Sequence, residues 1–248
     1  MALRIDRLSK AFNGVQALSS VSLRFPVSGA VSVIGPNGAG KTTLLNILSG
    51  FLWPDTGSCF LGDQETTFMP PHRIARLGVS RTFQDLRLVL QVSVLDNVML
   101  ARQGQWGETL LGALFRFGVA AEEARNHDEA MRLFRFVGLE DEAMQLAGEL
   151  SYGQQKLLTL ACCLATEARI LLLDEPVAGV HPEMARRILG LLRQLRDRGM
   201  LIVFVEHDLA AVREIADRVI VMDEGRIIAD GPPAEILNRP EIMEAYVA

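Results

Sequence analysis

Eight consecutive residues near the N-terminus have the types and spacing that bind phosphate. In order they are Gly35, Pro36, Asn37, Gly38, Ala39, Gly40, Lys41 and Thr42. They fit the pattern GxxxxGK[ST] and stand between the apolar run 31–34 and a segment of helical character, the context in which this pattern binds phosphate. Glycines permit backbone conformations closed to other residues, so successive N–H groups can converge on one phosphate. We expect Lys41 to reach the β and γ phosphates and the Thr42 hydroxyl to complete a Mg²⁺ shell.

Two carboxylates follow a second apolar run, at residues 170–173. Four apolar residues that end in Asp174 and Glu175 are typical of a buried parallel strand whose carboxyl edge carries acids. Ligands of open α/β sheets bind at that edge. We therefore expect Asp174 to bind Mg²⁺ through water and Glu175 to act as general base toward an attacking water. The alternative for Glu175 is a solvated surface acid.

Two further polar side chains follow apolar or alternating runs. His207 comes shortly after the apolar run 201–205. Because parallel strands present their carboxyl ends at one edge, His207 should emerge beside Glu175, where it could donate to a γ-phosphate. Gln84 ends the alternating segment 79–83, a position from which its amide could contact a metal ion or an attacking water.

A second helix start and an aromatic residue complete the candidate site. Ser151 is a plausible N-cap of a helix that carries Leu157, Leu160 and Leu164 on one face, so this N-terminus also suits an anion. Phe12 lies at the tip of a predicted hairpin. Its ring could stack on a nucleotide base or could simply cap the hairpin.

The elements that position these residues belong to two kinds of sequence. Residues 1–25 alternate as two strands joined through Asn13-Gly14, and the apolar strands continue an α/β pattern to the end of the chain. From about residue 90 to 150 only helical patterns occur, which predicts an inserted helical lobe. Its apolar residues could form the core of the lobe or a groove for a partner helix. Those residues are Trp106, Leu110, Leu111, Leu114, Phe115 and Phe117.

Composition limits the classes of protein to which the chain can belong. The 248 residues are 49% hydrophobic and 22% charged, which suits an ordinary globular protein. No apolar run approaches the roughly 18 residues of a membrane span, and the N-terminus lacks a signal-peptide core, so we expect a cytosolic chain. Cys59, Cys162 and Cys163 should be reduced core residues. A net charge of −5 without a basic block disfavours a nucleic-acid partner.

Taken together, these motifs resemble those of the ATP-binding subunit of ABC transporters, over nearly the whole chain. GPNGAGKTT, which ends at Thr43, is similar to Walker A, LSYGQQ to the signature motif and ILLLDEP to Walker B. Gln84 matches the Q-loop, His207 the switch histidine and Phe12 the adenine-stacking aromatic. Finer features, such as Arg81-Thr82-Phe83-Gln84, resemble the branched-chain amino acid, LivG-like branch. Urea and short-chain amide importers are the close alternative.

The resemblance implies an α/β P-loop NTPase core with an N-terminal antiparallel β subdomain and an inserted α-helical subdomain. Residues 1–89 and 160–248 would form the core, and about 90–159 the helical subdomain. It also implies that ATP and Mg²⁺ lie between the glycine loop of one subunit and the signature motif of a second, identical or sister subunit. The signature residues concerned are Ser151, Gly153 and Gln154.

The implied partners are transmembrane permease subunits and, indirectly, a periplasmic substrate-binding protein. The chain would then lie on the cytoplasmic face of the inner membrane as a peripheral subunit. Two residues depart from the family pattern: Tyr152 replaces a glycine of the signature motif, and His181 stands where an Asp or Asn is common. The alternatives are a soluble ABC ATPase acting on DNA or the ribosome and a regulatory subunit that binds ATP without hydrolysing it.

Overall fold

The structure is a computed structural model that describes residues 2–82, 86–102, 119–240 and 242, without the side chains of 119–122. The chain divides into two compact units, Met1–Arg81 with Arg169–Ala248, and Thr82–Ala168. The described strands are β1 (Leu3–Phe12), β2 (Val15–Arg24), β3 (Gly29–Ile34), β4 (Thr56–Leu61), β5 (Gln64–Glu65), β6 (Val79–Arg81), β7 (Ile170–Asp174), β8 (Leu201–Val205), β9 (Arg218–Asp223) and β10 (Arg226–Gly231). The described helices are α1 (Lys41–Leu48), α2 (Pro71–Arg76), α3 (Val94–Ala101), α4 (Val119–Val137), α5 (Tyr152–Ala165), α6 (Pro182–Asp197), α7 (Leu209–Ile215) and α8 (Pro233–Ile236), with a 3₁₀ turn at Ala147–Glu149.

A six-stranded sheet organises the first unit, in the order β10-β9-β3-β8-β7-β6. The strands β3, β7 and β8 run parallel to one another, and every residue of β7 and β8 is buried. Such strands are buried on both faces and therefore read as continuous apolar runs. Because neighbouring parallel strands end at the same edge, the segments that follow β3, β7 and β8 meet there.

A smaller antiparallel sheet, in the order β2-β1-β4-β5, lies in the same unit. The strands β1 and β2 form the predicted hairpin, with Asn13 and Gly14 both at positive φ in the connecting turn. Pro54, Asp55, Thr56 and Gly57 have the composition of a turn, but β4 already begins at Thr56, so the turn prediction is wrong for Thr56 and Gly57. The register of β1 against β4 shifts beside Gly57, whose φ is +87°, and a Cβ there would stand 2.3 Å from the Arg7 carbonyl oxygen. The strand thus continues through a bulge that only glycine fits.

The described part of the second unit is helical apart from one bridge between Ser93 and Leu146. The helices α3, α4 and α5 pack against one another. Ala130, Leu133, Phe134 and Val137 stand at i, i+3, i+4 and i+7, a spacing that predicts one shared helix face. In α4 Ala130, Phe134 and Val137 are buried, while Leu133 is half-buried. The sequence also predicts a helix around residues 110–117; this segment and its apolar side chains lie outside the described residues.

Three further features of the chain are its cysteines, its C-terminal tail and the character of its helices. All three cysteines are free thiols; Cys59 and Cys163 are buried, but Cys162 is only half-buried, so it is not a full core residue. The sequence of residues 232–247 predicts one or two amphipathic helices, and the described part of this tail contains the short helix α8. Among the residues described, no helix combines the length and apolarity needed to cross a bilayer.

Candidate functional site

The glycine-rich loop connects β3 directly to α1. Gly40 is the N-cap of α1, with φ +97°, and a Cβ at this position would lie 2.3 Å from the carbonyl oxygen of Ala17. A side chain is therefore excluded by both conformation and space. The loop also hydrogen-bonds to itself and to the turn after β9, through Ala39 N to Pro36 O and Gly225 N to Ala39 O, both at 3.2 Å. Asn37 and Gly38, between these fixed points, are exposed.

Lys41 is the first residue of α1 and lies folded against the loop. Its side chain is buried, and Nζ donates to the carbonyl oxygens of Gly35 at 2.6 Å and Pro36 at 2.8 Å. Burial lowers the pKa of Lys41, while the nearby charges of Glu175 and Asp174 oppose that shift. The ammonium group is thus placed over the loop and within the field of both carboxylates.

The start of α1 offers backbone donors to an anion. Its N-cap is glycine, so no side chain accepts from the N–H groups of the first turn, and residues 41–44 include no acid. Thr42 is exposed and Thr43 half-buried in this turn. Unpaired N–H groups and the helix dipole together favour a negative group here.

Asp174 ends β7 in an environment of mixed charge. Its side chain is 6% exposed, and Oδ2 lies 3.3 Å from the guanidinium of Arg81, which ends β6 and is 4% exposed. Arg81 also donates to Asn46 Oδ1 at 2.7 Å and to Ser49 Oγ at 3.0 Å. Burial raises the pKa of Asp174, and Arg81 opposes this shift. The sequence marked Arg81 only as part of a family resemblance and did not indicate these contacts.

Glu175 and His207 lie together at the carboxyl edge of the large sheet. The strands pair with Asp174 opposite Val205, and Glu175 Oε1 lies 3.2 Å from His207 Nε2. The prediction that both side chains emerge at one edge is confirmed. Their side chains are 22% and 42% exposed, so water can reach both. Glu175 has φ +49°, an uncommon conformation for a residue other than glycine.

Phe12 lies at the end of β1, where its ring is 46% exposed. The Nζ of Lys10 lies 5.6 Å from the ring centre, and Lys10 is paired with Asp55 at 2.6 Å. A ring this exposed contributes little to hairpin packing and has a face available for stacking.

The signature-like segment belongs to the second unit and begins α5. Ser151 and Gln154 form a capping box, in which Ser151 Oγ accepts from Gln154 N and Gln154 Oε1 accepts from Ser151 N. The N–H groups of Tyr152 and Gly153 are not used in this box. Gln154 Nε2 donates to Glu142 at 2.9 Å, which fixes the amide. The helix start is therefore capped by side chains, and the capping box leaves the N–H groups of Tyr152 and Gly153 for another acceptor.

Gln84 and His181 are the two other positions that the sequence singled out. Gln84 lies outside the described residues. His181 is exposed and is the N-cap of α6, but its side chain makes no capping hydrogen bond. A histidine here thus leaves the start of α6 without the side-chain cap that an Asp or Asn commonly provides.

Comparison with known proteins identifies the family. A family model described as ABC transporter matches residues 18–178. The chain is 37% identical to the high-affinity branched-chain amino acid transport ATP-binding protein BraF of Pseudomonas aeruginosa, covering 99% of this chain and 97% of that protein. It is 38% identical to the corresponding LivG protein of Escherichia coli K12, with the same coverage.

Solved structures agree with this result. The ADP conformation of an ATP-binding cassette of an ABC transporter superposes with a TM-score of 0.85 at 31% identity, covering 100% of this chain and 99% of that one. The predicted α/β P-loop NTPase fold is confirmed. The chain belongs to the ABC transporter family and is one of its ATP-hydrolysing cassettes.

Proposed function

We propose that this cassette powers an importer of branched-chain amino acids. Support comes from relatives that are named as branched-chain amino acid transport ATP-binding proteins, in Pseudomonas aeruginosa, Escherichia coli and Archaeoglobus fulgidus. They are 37–38% identical to this chain, which covers 95–97% of their length. The sequence features that resemble the same branch include Arg81 and Tyr152.

The contact between Glu175 and His207 is the observation that carries the hydrolytic mechanism. With the triphosphate of ATP on the glycine loop and Lys41, the carboxylate of Glu175 accepts a proton from a water molecule. The water oxygen then bonds to the γ-phosphorus, and the bond from that phosphorus to the β–γ bridging oxygen breaks, releasing ADP and phosphate. His207 donates a hydrogen bond to the γ-phosphoryl group and holds it in line with the water.

The residues near the loop fit a magnesium ion. Mg²⁺ prefers hard oxygen ligands and keeps several of its waters. The hydroxyl of Thr42 and the carboxylate of Asp174 would supply such oxygens, and a bound cation would favour the charged form of Asp174 that burial opposes. A bound Mg²⁺ neutralises charge on the phosphates, while Gln84 would complete its surroundings.

We infer that two cassettes act together, each completing the other's nucleotide site. The chain carries one glycine loop, and one signature segment at 150–155 whose helix start is capped by side chains and offers the N–H groups of Tyr152 and Gly153. Facing a γ-phosphate from a second subunit, Ser151, Gly153 and Gln154 would favour ATP over ADP, because only ATP carries the group that they contact. Hydrolysis would then loosen the pair and move the permease.

An exposed aromatic pair suits permease docking. The rings of Trp53 and Phe68 meet edge to face with centroids 6.3 Å apart, and they are 57% and 63% exposed. Large apolar side chains that cluster on a surface mark interaction sites. We assign this pair to the permease on the cytoplasmic face of the membrane; a periplasmic binding protein would deliver the amino acid from the other side.

Transport by the assembled system tests this function. The cassette is co-expressed with permease subunits, a sister cassette and a binding protein of a branched-chain amino acid importer and reconstituted in liposomes with ATP inside. We expect ATP-dependent uptake of labelled leucine, isoleucine or valine when binding protein is outside. Uptake of urea or acetamide instead would overturn the cargo assignment, and ATP hydrolysis that binding protein and amino acid do not stimulate would overturn the importer role.

A further inference from the structure

We propose that Glu206 is a positioning residue that holds Glu175 in its working orientation toward His207. This inference rests on the proposed roles of Glu175 and His207 and adds a third residue, which acts through the other two. Glu206 is the residue between the end of β8 and His207, and its side chain is only 2% exposed. A carboxylate is rarely buried this completely unless it is paired or hydrogen-bonded.

The buried carboxylate of Glu206 accepts a hydrogen bond from the turn that follows Glu175. Its Oε1 lies 2.8 Å from the backbone nitrogen of Val177, a residue that is itself 7% exposed. The bond crosses from the end of β8 to the chain leaving β7. It therefore connects the segment that carries His207 to the segment that carries Glu175.

The turn after β7 needs such a connection, because its backbone is in an uncommon conformation. Glu175 has φ +49°, a left-handed value that residues with a side chain hold only when their surroundings require it. In the described contacts, Glu175 N donates to Val205 O at the end of β8, at 3.0 Å, and Val177 N donates to Glu206, the residue after β8. A third, from Ala178 N to Glu175 O at 3.3 Å, closes the turn on itself.

The other side of His207 is fixed as well. Asp208 is the N-cap of α7, and its Oδ1 accepts from Ala210 N at 2.8 Å. His207 thus stands between a residue anchored to the Glu175 turn and a residue anchored to the next helix. We attribute the 3.2 Å separation of Glu175 Oε1 and His207 Nε2 to this arrangement. Without the Glu206 acceptor, the Val177 N–H would be buried and unpaired, which is unfavourable, and a turn that relaxes to pair it would carry Glu175 with it.

Two substitutions at Glu206 separate this role from a general effect on folding. Glu206→Gln keeps a carbonyl oxygen that can accept from Val177 N, whereas Glu206→Leu fills a similar volume without an acceptor. The matched control is Thr67→Val, because Thr67 is also buried and its Oγ1 accepts from a backbone N–H, that of Cys59, at 3.0 Å. Each variant is assembled in the complete transporter, and kcat and KM for ATP are measured together with ATP affinity.

We expect Glu206→Leu to lower kcat by about 10- to 100-fold, the rate equivalent of one charge-assisted hydrogen bond, with KM for ATP and ATP affinity changed less than about threefold. Glu206→Gln should retain kcat within about threefold, and Thr67→Val should leave kcat unchanged. A normal kcat in Glu206→Leu, or a Glu206→Gln variant as slow as Glu206→Leu, would overturn the proposal.

Amide hydrogen exchange at Val177 tests the bond without measuring turnover. Because it uses only the wild type and Glu206→Gln, it can be measured even if Glu206→Leu does not fold. The Val177 N–H should be protected in the wild type and in Glu206→Gln. Fast exchange in both would contradict the proposed bond. The roles of Glu175 and His207 are tested by their own substitutions, so a failure there is distinguishable from a failure of Glu206.

Discussion

Arg81 and Asp174 form a buried ion pair, with 3.3 Å between Arg81 Nη2 and Asp174 Oδ2. The same guanidinium donates to Asn46 and Ser49 of α1 and its C-cap. One side chain thus joins the end of β6, the helix that follows the glycine loop, and the carboxylate assigned to magnesium. Arg81 thus fixes the distance between α1 and Asp174, and it can do so without contacting the nucleotide.

Arg81→Met should destabilise the cassette strongly, because it leaves Asp174 buried without its guanidinium partner. Breaking a buried pair in this way costs about 3–5 kcal/mol. The control is Arg193→Met, which removes a partly exposed pair with Glu214 at 2.8 Å and should cost less than about 1 kcal/mol. Urea unfolding measures both free energies. Equal losses in the two variants would contradict a structural role for the Arg81 pair.

Lys41→Ala should abolish or severely weaken ATP binding, since Lys41 supplies the cation over the loop. The readout is the shift in unfolding temperature that ATP and Mg²⁺ produce, because a ligand stabilises only a protein that binds it. The wild type should be stabilised, and the variant should unfold at the same temperature with and without nucleotide. A normal shift in Lys41→Ala would rule out the loop as the phosphate site.

The contacts of Arg81 show what the sequence could not indicate. The apolar runs at 31–34, 170–173 and 201–205 predicted the central strands well, because strands buried on both faces admit few polar residues. The positions of Glu175 and His207 followed from the parallel order. Arg81 meets its partners over separations of 35, 32 and 93 residues, so no local pattern reports them.

The sequence did not indicate the burial of Glu206 or the start of β4 at Thr56, for related reasons. Beside His207, Glu206 reads as one more polar residue after a strand, and only the packing of two strand ends reveals that it is buried. Thr56 and Gly57 carry turn-forming composition, but a register shift against β1 places them in a strand. In both cases contacts distant in sequence outweigh the local preference.

Ser151→Glu should prevent ATP-dependent pairing of cassettes, because a carboxylate at this helix start would repel the γ-phosphate of the partner's ATP. Binding of ATP to the glycine loop should be unaffected. Ser93→Glu is the control: Ser93 is likewise an N-cap in the second unit and accepts from Asp96 N at 2.9 Å. Sedimentation with ATP in the Glu175→Gln background reports the oligomer. A dimer that forms as readily with Ser151→Glu as with Ser93→Glu would contradict the paired site.

Trp53→Glu combined with Phe68→Glu should release the cassette from the permease while leaving its fold intact, since both rings are largely exposed. Co-purification with the permease should fall to background. Val27→Glu, at an isolated exposed apolar residue in the same unit, is the control and should co-purify normally. Full recovery of the double variant with the permease would show that docking occurs elsewhere.

The most direct measurement of the central claim is single-turnover hydrolysis of pre-bound ATP by the wild type and by Glu175→Gln, with ATP affinity determined on the same samples. The amide cannot accept the proton of the attacking water, so we predict unchanged affinity and a hydrolysis rate lower by about 10²- to 10⁴-fold. Near-normal hydrolysis by Glu175→Gln at full ATP occupancy would contradict the role of Glu175, and with it the account of how this site works.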